Sequence, residues 1–228
     1  MDSYSYKVVQ PALFDFSEKS TGAMELFPAV WSAAEDLVAP EAATRQSGLK
    51  RLIELGAPRL SPLIAFLVAT RLTDPNLRIR KQVVQVISDV LLPDKQGRLA
   101  PEAVTRCLKN YLSQARVRLI YALLEVVSHS TEMDRHVSRL LNQCPYAGNH
   151  LSSILSDRKI PLLIRQKAAH LIGLVGFLDA IPILERLAAR LEARMTGQQS
   201  MPFAPVDTTD ESALLLDVRA TLLVLKAA

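Results

Sequence analysis

Apolar positions along this chain fall into blocks whose members stand three or four residues apart, and five of those blocks open with an arginine that follows a small or apolar residue. The first three are Thr44-Arg45 with Gly48-Leu49 and Leu52-Ile53, Ile79-Arg80 with Val83-Val84 and Ile87, and Val117-Arg118 with Tyr121-Ala122 and Glu125-Val126. The last two are Ile164-Arg165 with Ala168-Ala169 and Ile172-Gly173, and Val218-Arg219 with Leu222-Leu223. Offsets of three, four, seven and eight lie on one face of a helix, so each block predicts an amphipathic helix with an arginine at the border of its apolar face. The intervals between the arginines bracket the roughly 40–47 residues of a two-helix repeat unit and lengthen toward the C-terminus. The chain reads as a helical repeat.

The stretches between the arginine blocks predict their partners. Residues 1–21 hold no sustained period and read as an extended leader. From Met24 the positions Leu26, Phe27, Val30, Trp31, Ala34, Leu37 and Val38 predict a first helix that caps the array, with Trp31 on its apolar stripe and therefore in the core. Gly56-Ala57-Pro58 stops the first arginine helix, and Leu60, Leu63, Ile64, Leu67 and Val68 continue as its partner. Thr73-Asp74-Pro75 predicts a cap with proline at the first position of the next helix.

The second unit pairs about 76–91 with 101–112 across the turn from Pro93 to Gly97, and the third pairs about 114–128 with 133–142. Thr131 to Asp134 resembles a capping box with Asp for Glu, and an extra segment from Cys144 to Ser156 lengthens the third unit. A fourth unit pairs about 161–175 with 179–193. Residues 196–210 predict a flexible loop, and 211–226 a final helix. In that helix Leu214, Leu215, Leu216, Val218, Leu222, Leu223, Val224 and Leu225 lie on nearly every side, which calls for burial against a second copy, a partner chain or the preceding loop. A homodimer through the C-terminal helix is one such arrangement.

Composition narrows the class. With 228 residues, 49% of them hydrophobic, the chain can bury a core over its whole length. The excess of Leu, Ala, Val and Ile over aromatics and glycine predicts an all-α fold with almost no strand. No apolar run reaches the roughly 18–20 residues of a membrane span, and the first residues do not resemble a secretory signal, so a cytoplasmic location is expected. Two cysteines, Cys107 and Cys144, each predicted at an apolar helical position, read as small buried hydrophobes. A net charge of +4, from 27 basic and 23 interleaved acidic residues, marks no dedicated nucleic-acid binder.

The run Thr73-Asp74-Pro75-Asn76-Leu77-Arg78-Ile79-Arg80-Lys81-Gln82-Val83-Val84 resembles the first helix of a HEAT repeat, in which an Asp-Pro opening precedes an apolar-Arg pair. Leu163 to Gly173 is similar, closest to the bacterial HEAT-like flavour also seen in phycobilisome lyases, and the likeness covers about residues 40–226. The resemblance implies a right-handed α-α superhelix, a solenoid of about four to five HEAT-like helix pairs, forming a single domain over 22–228. It also implies a ladder between neighbouring units joining Asp74 and Asp157 to Arg80, Arg118 and Arg165, with Arg45, Arg80, Arg118, Arg165 and Arg219 all structural. Units one, three and five lack the Asp-Pro opening, so that ladder is incomplete.

Chemistry is sparse. His129, His136, His150 and His170 are scattered, and Glu125 with His129 reads as an ion pair near a helix end rather than a metal site. No nucleophile motif or phosphate-cradling glycine loop occurs, so the chain is expected to be no enzyme and to need no cofactor or metal. The second helices carry Arg106, Lys109, Arg135, Arg139, Arg186, Arg190 and Arg194, candidates for a basic stripe on a concave face. The leading reading is a non-catalytic scaffold or adaptor binding a protein. Nucleic-acid binding through the same stripe is the alternative, and a lyase or DNA glycosylase on such a scaffold the second alternative.

Overall fold

The computed structural model describes residues 27–195 and 211–227. The predicted leader over 1–21 and the predicted loop over 196–210 lie outside the described residues. Within them twelve α-helices and short 3₁₀ turns account for the regular structure, and no strand occurs.

The helices are α1 Pro28–Val38, α2 Ala42–Glu54, α3 Ala57–Leu60, α4 Pro62–Thr70, α5 Leu77–Val90 and α6 Glu102–Ser113, then α7 Val117–Ser128, α8 Asp134–Leu141, α9 Ala147–Ser156, α10 Leu162–Val175, α11 Ile181–Met195 and α12 Ser212–Ala227. Local chemistry sets several of these bounds. Pro28 occupies the first turn of α1, where its missing N–H costs no helical bond. The Ser61 hydroxyl accepts a hydrogen bond from the Ile64 N–H at 3.2 Å and opens α4. The expected partner of α2 is thereby broken in two, a single turn α3 carrying Pro58 and then α4.

Two expected caps fall elsewhere. Asn76, not the Thr73-Asp74 pair, caps α5, its Oδ1 accepting from the Arg78 N–H at 2.9 Å. Asp74 lies two residues further out, where its Oδ1 accepts the Asn76 N–H at 2.8 Å. The Thr131 segment forms a 3₁₀ turn with no side-chain cap instead of a capping box.

The helices that carry the five arginines meet in chain order, α2 on α5, α5 on α7, α7 on α10 and α10 on α12. Beside them α1 packs on α2 and α4, α4 on α6, α8 on α5 and α7, α9 on α7 and α10, and α11 on α9 and α12. One apolar core follows, running from Val30 in α1 to Leu225 in α12. At its N-terminal end the α1–α2 contact depends on Gly48, where an added Cβ would stand 2.6 Å from both the Ala33 carbonyl oxygen and the Leu37 nitrogen. The α4–α6 contact includes an edge-to-face pair, Phe66 with Tyr111, at 5.8 Å between centroids.

Two expectations about burial fail, those for Trp31 and Cys107. Trp31 is 47% exposed, because the buried stripe of α1 is Val30, Ala33, Ala34 and Leu37, one step round from it. Cys144 is buried, as expected, but sits in the connection between α8 and α9 rather than in a helix, and Cys107 is only half-buried. In α12 the described residues cover half of the apolar girdle: Leu214, Leu215, Val218 and Leu225 are buried, while Leu216, Leu223 and Val224 are exposed among them.

Candidate functional site

Three of the five arginines share one phase, since Val83, Val84 and Ile87 are buried three, four and seven residues after Arg80 in α5, as in the two helices described next. In α2 the buried positions Gly48, Leu49 and Leu52 follow Arg45 by three, four and seven, and the same offsets place Ala168, Ala169 and Ile172 after Arg165 in α10. Both guanidiniums are consequently buried in a seam. Arg45 grips the Asp74 carboxylate with two bonds of 2.8 and 3.0 Å and donates to the Ala39 carbonyl at 3.1 Å. Arg165 donates to the Leu155 carbonyl at 2.9 Å and to Glu211 at 2.7 Å. Each arginine thus ties the segment before its own helix to an acid that precedes the next helix it meets, Asp74 before α5 and Glu211 before α12.

The other three copies depart from that arrangement. No acid stands before α7, and Arg80 pairs with Glu125 within α7 itself. In α7 the buried stripe begins with Leu119 and Ile120, directly after Arg118, which turns Arg118 to solvent. Arg219 likewise lies outside its stripe and pairs with Glu192 of α11 at 2.7 Å. Asp157, expected on the ladder, is exposed and accepts the Lys159 N–H at 2.9 Å in the turn after α9.

The candidate partner-binding residues split in the same manner. Arg106, Lys109, Arg135, Arg186 and Arg190 are exposed, Arg106 with a 2.6 Å ion pair to Glu102 one turn back. Arg139 and Arg194 are half-buried and engaged within the fold, Arg139 with the Ser88 hydroxyl and Arg194 with Glu211 at 2.7 Å. The stripe is therefore interrupted at those two positions.

Arg186 and Arg190 border an open groove of about 630 Å³ between α9 and α11, lined also by Ser152, Ser153, Ser156, Ile183 and Ala189. In α11 the residues Leu184, Leu187, Ala188 and Leu191 face the core, so Arg186 and Arg190 project together from another side, four residues apart. On α9 the core takes Leu151, Ile154 and Leu155, leaving Ser152 and Ser156 to line the groove. Gly148 lets the turn that leads into α11 come close, since a Cβ there would stand 2.8 Å from Asp179 Oδ1. The hydroxyls of Ser152 and Ser156 are buried without a hydrogen-bond partner. Sequence reasoning found the two arginines but not the serines.

Two histidines and both cysteines contact neighbouring groups of the fold. His136 Nδ1 lies 3.0 Å from the Ser88 hydroxyl and 3.9 Å from Asp89. The same ring nitrogen faces both groups, whereas a Ser-His-Asp triad uses opposite nitrogens, and Ser88 is fully buried. His129 Nδ1 lies 2.8 Å from the backbone oxygen of Glu125, whose carboxylate belongs to Arg80, so the expected Glu125–His129 ion pair does not form. Burial pushes the Cys107 thiol up and the Cys144 thiol up to about 12, which favours the protonated form of both. Among the described residues no three His, Cys, Asp or Glu side chains converge as metal ligands, and no helix is long and apolar enough to cross a membrane. Comparison of the chain with protein-family models, with curated proteins and with solved structures finds no match.

Proposed function

We propose that the chain is a short α-solenoid of HEAT-like units that acts as a non-catalytic adaptor, binding another protein along its second helices. The observation that carries this reading is the stack α2, α5, α7, α10, α12, each helix contacting the next in chain order, with buried arginine-to-acid staples at its first and last seams. A quasi-one-dimensional stack presents a long continuous surface instead of one enclosed pocket, and such surfaces act by distributed contact. Lys109, Arg135, Arg186 and Arg190, exposed on helices outside that stack, supply the surface with cationic contacts.

The test places a photo-crosslinking residue at Lys109, Arg135 or Arg190 on the second helices, and at exposed Lys50 or Gln85 on the arginine helices. Illumination in the source cell is expected to give polypeptide adducts from the first set and few from the second. Adducts in equal yield from both sets, or none, would defeat the adaptor reading. Nucleic-acid adducts whose binding falls steeply with added salt would move the function to phosphate recognition.

A further inference from the structure

We infer that the groove between α9 and α11 is a recognition site for an acidic peptide segment of a partner protein. Its carboxylates are taken by Arg186 and Arg190 on one wall and by the Ser152 and Ser156 hydroxyls on the other. This deepens the adaptor reading and rests on it.

The serines carry the first argument. A serine inside a helix ordinarily returns its hydroxyl to the carbonyl one turn back, as Ser153 does here to Asn149 at 2.9 Å. Ser152 and Ser156 do not, and their oxygens lie without a partner and closed to water, so that a turn about the Cα–Cβ bond is the movement that would bring each to a ligand in the groove. Ser152 is fully buried. A buried hydroxyl left without a bond opposes folding, so its retention on a groove wall points to a bond made with a ligand.

Charge carries the second. Arg186 holds only the Pro182 carbonyl of its own helix, through Nε at 3.1 Å, which leaves its terminal nitrogens for another acceptor. Arg190 makes no ion pair among the described residues, and no carboxylate is among the residues lining the groove. A guanidinium fork matches the two oxygens of a carboxylate.

Spacing and size carry the third. Residues four apart on a helix rise by about 6 Å, so each wall offers two polar contacts at that interval. Alternate side chains of an extended peptide stand about 6.6–6.8 Å apart on one side. A peptide with acidic residues at alternate positions meets both rungs, and its intervening atoms lie against Ile183 and Ala189. Two guanidiniums are few for a nucleic-acid backbone, whose binding without sequence readout rests on many phosphate contacts.

The experiment pans a phage-displayed random hexapeptide library on the intact chain and measures the recovered peptides by fluorescence anisotropy. Recovered sequences are expected to carry Asp or Glu at alternate positions. Their affinity is expected to fall at least tenfold for the R186Q/R190Q variant. For S152A/S156A it is expected to fall about three- to tenfold while the melting temperature holds or rises, a combination that a purely structural serine does not give. Failure to recover any binder, recovery without acidic preference, or equal binding to R186Q/R190Q would overturn the assignment. So would tighter binding, by tenfold or more, of a phosphoserine version of the same peptide, which would make the groove a phosphate site. Crosslinks at Lys109 and Arg135 that persist in R186Q/R190Q while no acidic peptide is selected would leave the adaptor standing and remove only the groove.

Discussion

In α2 the buried stripe begins three residues after Arg45, with Gly48 and Leu49, whereas in α7 it begins one residue after Arg118, with Leu119 and Ile120. Each residue turns a helix by about 100°. The same written motif therefore aims Arg45 into the seam with α5 and Arg118 into solvent. Spacing within a block decides that a helix forms, while the phase between arginine and stripe decides whether the guanidinium joins two layers. Third and fifth copies that look equivalent in sequence do not staple anything across the stack.

The comparison breaks most plainly by truncation. Arg45→Ala leaves the Asp74 carboxylate, with a side-chain exposure of 0%, buried without its charge partner. Removing one member of a buried pair costs about 3–5 kcal/mol. Arg118→Ala removes an exposed side chain with no ion pair among the described residues and is expected to stay within about 0.5 kcal/mol. Urea unfolding of the two variants, followed by circular dichroism, reads both values, and similar losses would dissolve the distinction between the seams.

The position three residues after the arginine sharpens the contrast. It is Gly48 in α2 and the half-buried Tyr121 in α7. At Gly48 a methyl group would press on backbone atoms of α1 at 2.6 Å, which only a shift of the whole helix relieves. Gly48→Ala is expected to cost about 1–3 kcal/mol, read as a lowered melting temperature, although alanine is the better helix former. A neutral or stabilising outcome would show that α1 and α2 do not pack as closely as their backbones indicate.

Helix existence was legible because periodicity is a property of one segment at a time. The arginine helices α5 and α10 start and end within a residue or so of the boundaries read from spacing, Gly56 does close α2, and α9 appears where an extra segment was expected. What the sequence withheld were relations between segments. Trp31 and Val30 are neighbours on the chain, and only the position of α2 decides which of them is covered. The phase of α7, by contrast, was written in Leu119, Ile120, Leu123, Leu124 and Val127, a stripe out of step with the arginine motif that places Tyr121 and Glu125 at its border. Arg139 and Arg194 look like surface cations until Ser88 and Glu211 are brought to them from 51 and 17 residues away. Ser152 and Ser156 carry no periodic signal at all, since a hydroxyl reads as polar whether it faces water, a backbone carbonyl or a groove.

A smaller effect is expected where α7 begins. Its N-cap is Arg116, exposed and making no side-chain cap, whereas α5 opens with Asn76 accepting two backbone N–H groups. A positive charge at a helix N-terminus opposes the helix dipole, and an uncapped first turn leaves its donors to water. Arg116→Asp supplies both an acceptor and a favourable charge and is expected to stabilise the chain by about 1 kcal/mol. No gain, with α7 otherwise intact, would mean that Arg116 already serves an interaction outside its own helix.

The last seam, Arg165 with Glu211, is distinguished from the first by its response to acid. Burial pushes the Glu211 carboxyl up, but the hydrogen bond and charge of Arg165, joined by Arg194, outweigh it and hold the group below its usual value of 4.5. A carboxyl whose folded value lies below its unfolded value binds fewer protons in the native state. Its contribution is fully present above about pH 4.5 and is lost as pH falls through the folded value. Unfolding free energies measured from pH 7 down to pH 3 are therefore expected to separate wild type from Glu211→Gln at neutral pH and to bring the two together at the acid end. Arg165 keeps its bond to the Leu155 carbonyl throughout, so the seam loosens without coming apart. Parallel curves across the whole range would show that the charge of Glu211, as opposed to its hydrogen bonds, contributes nothing to holding α12 on α10.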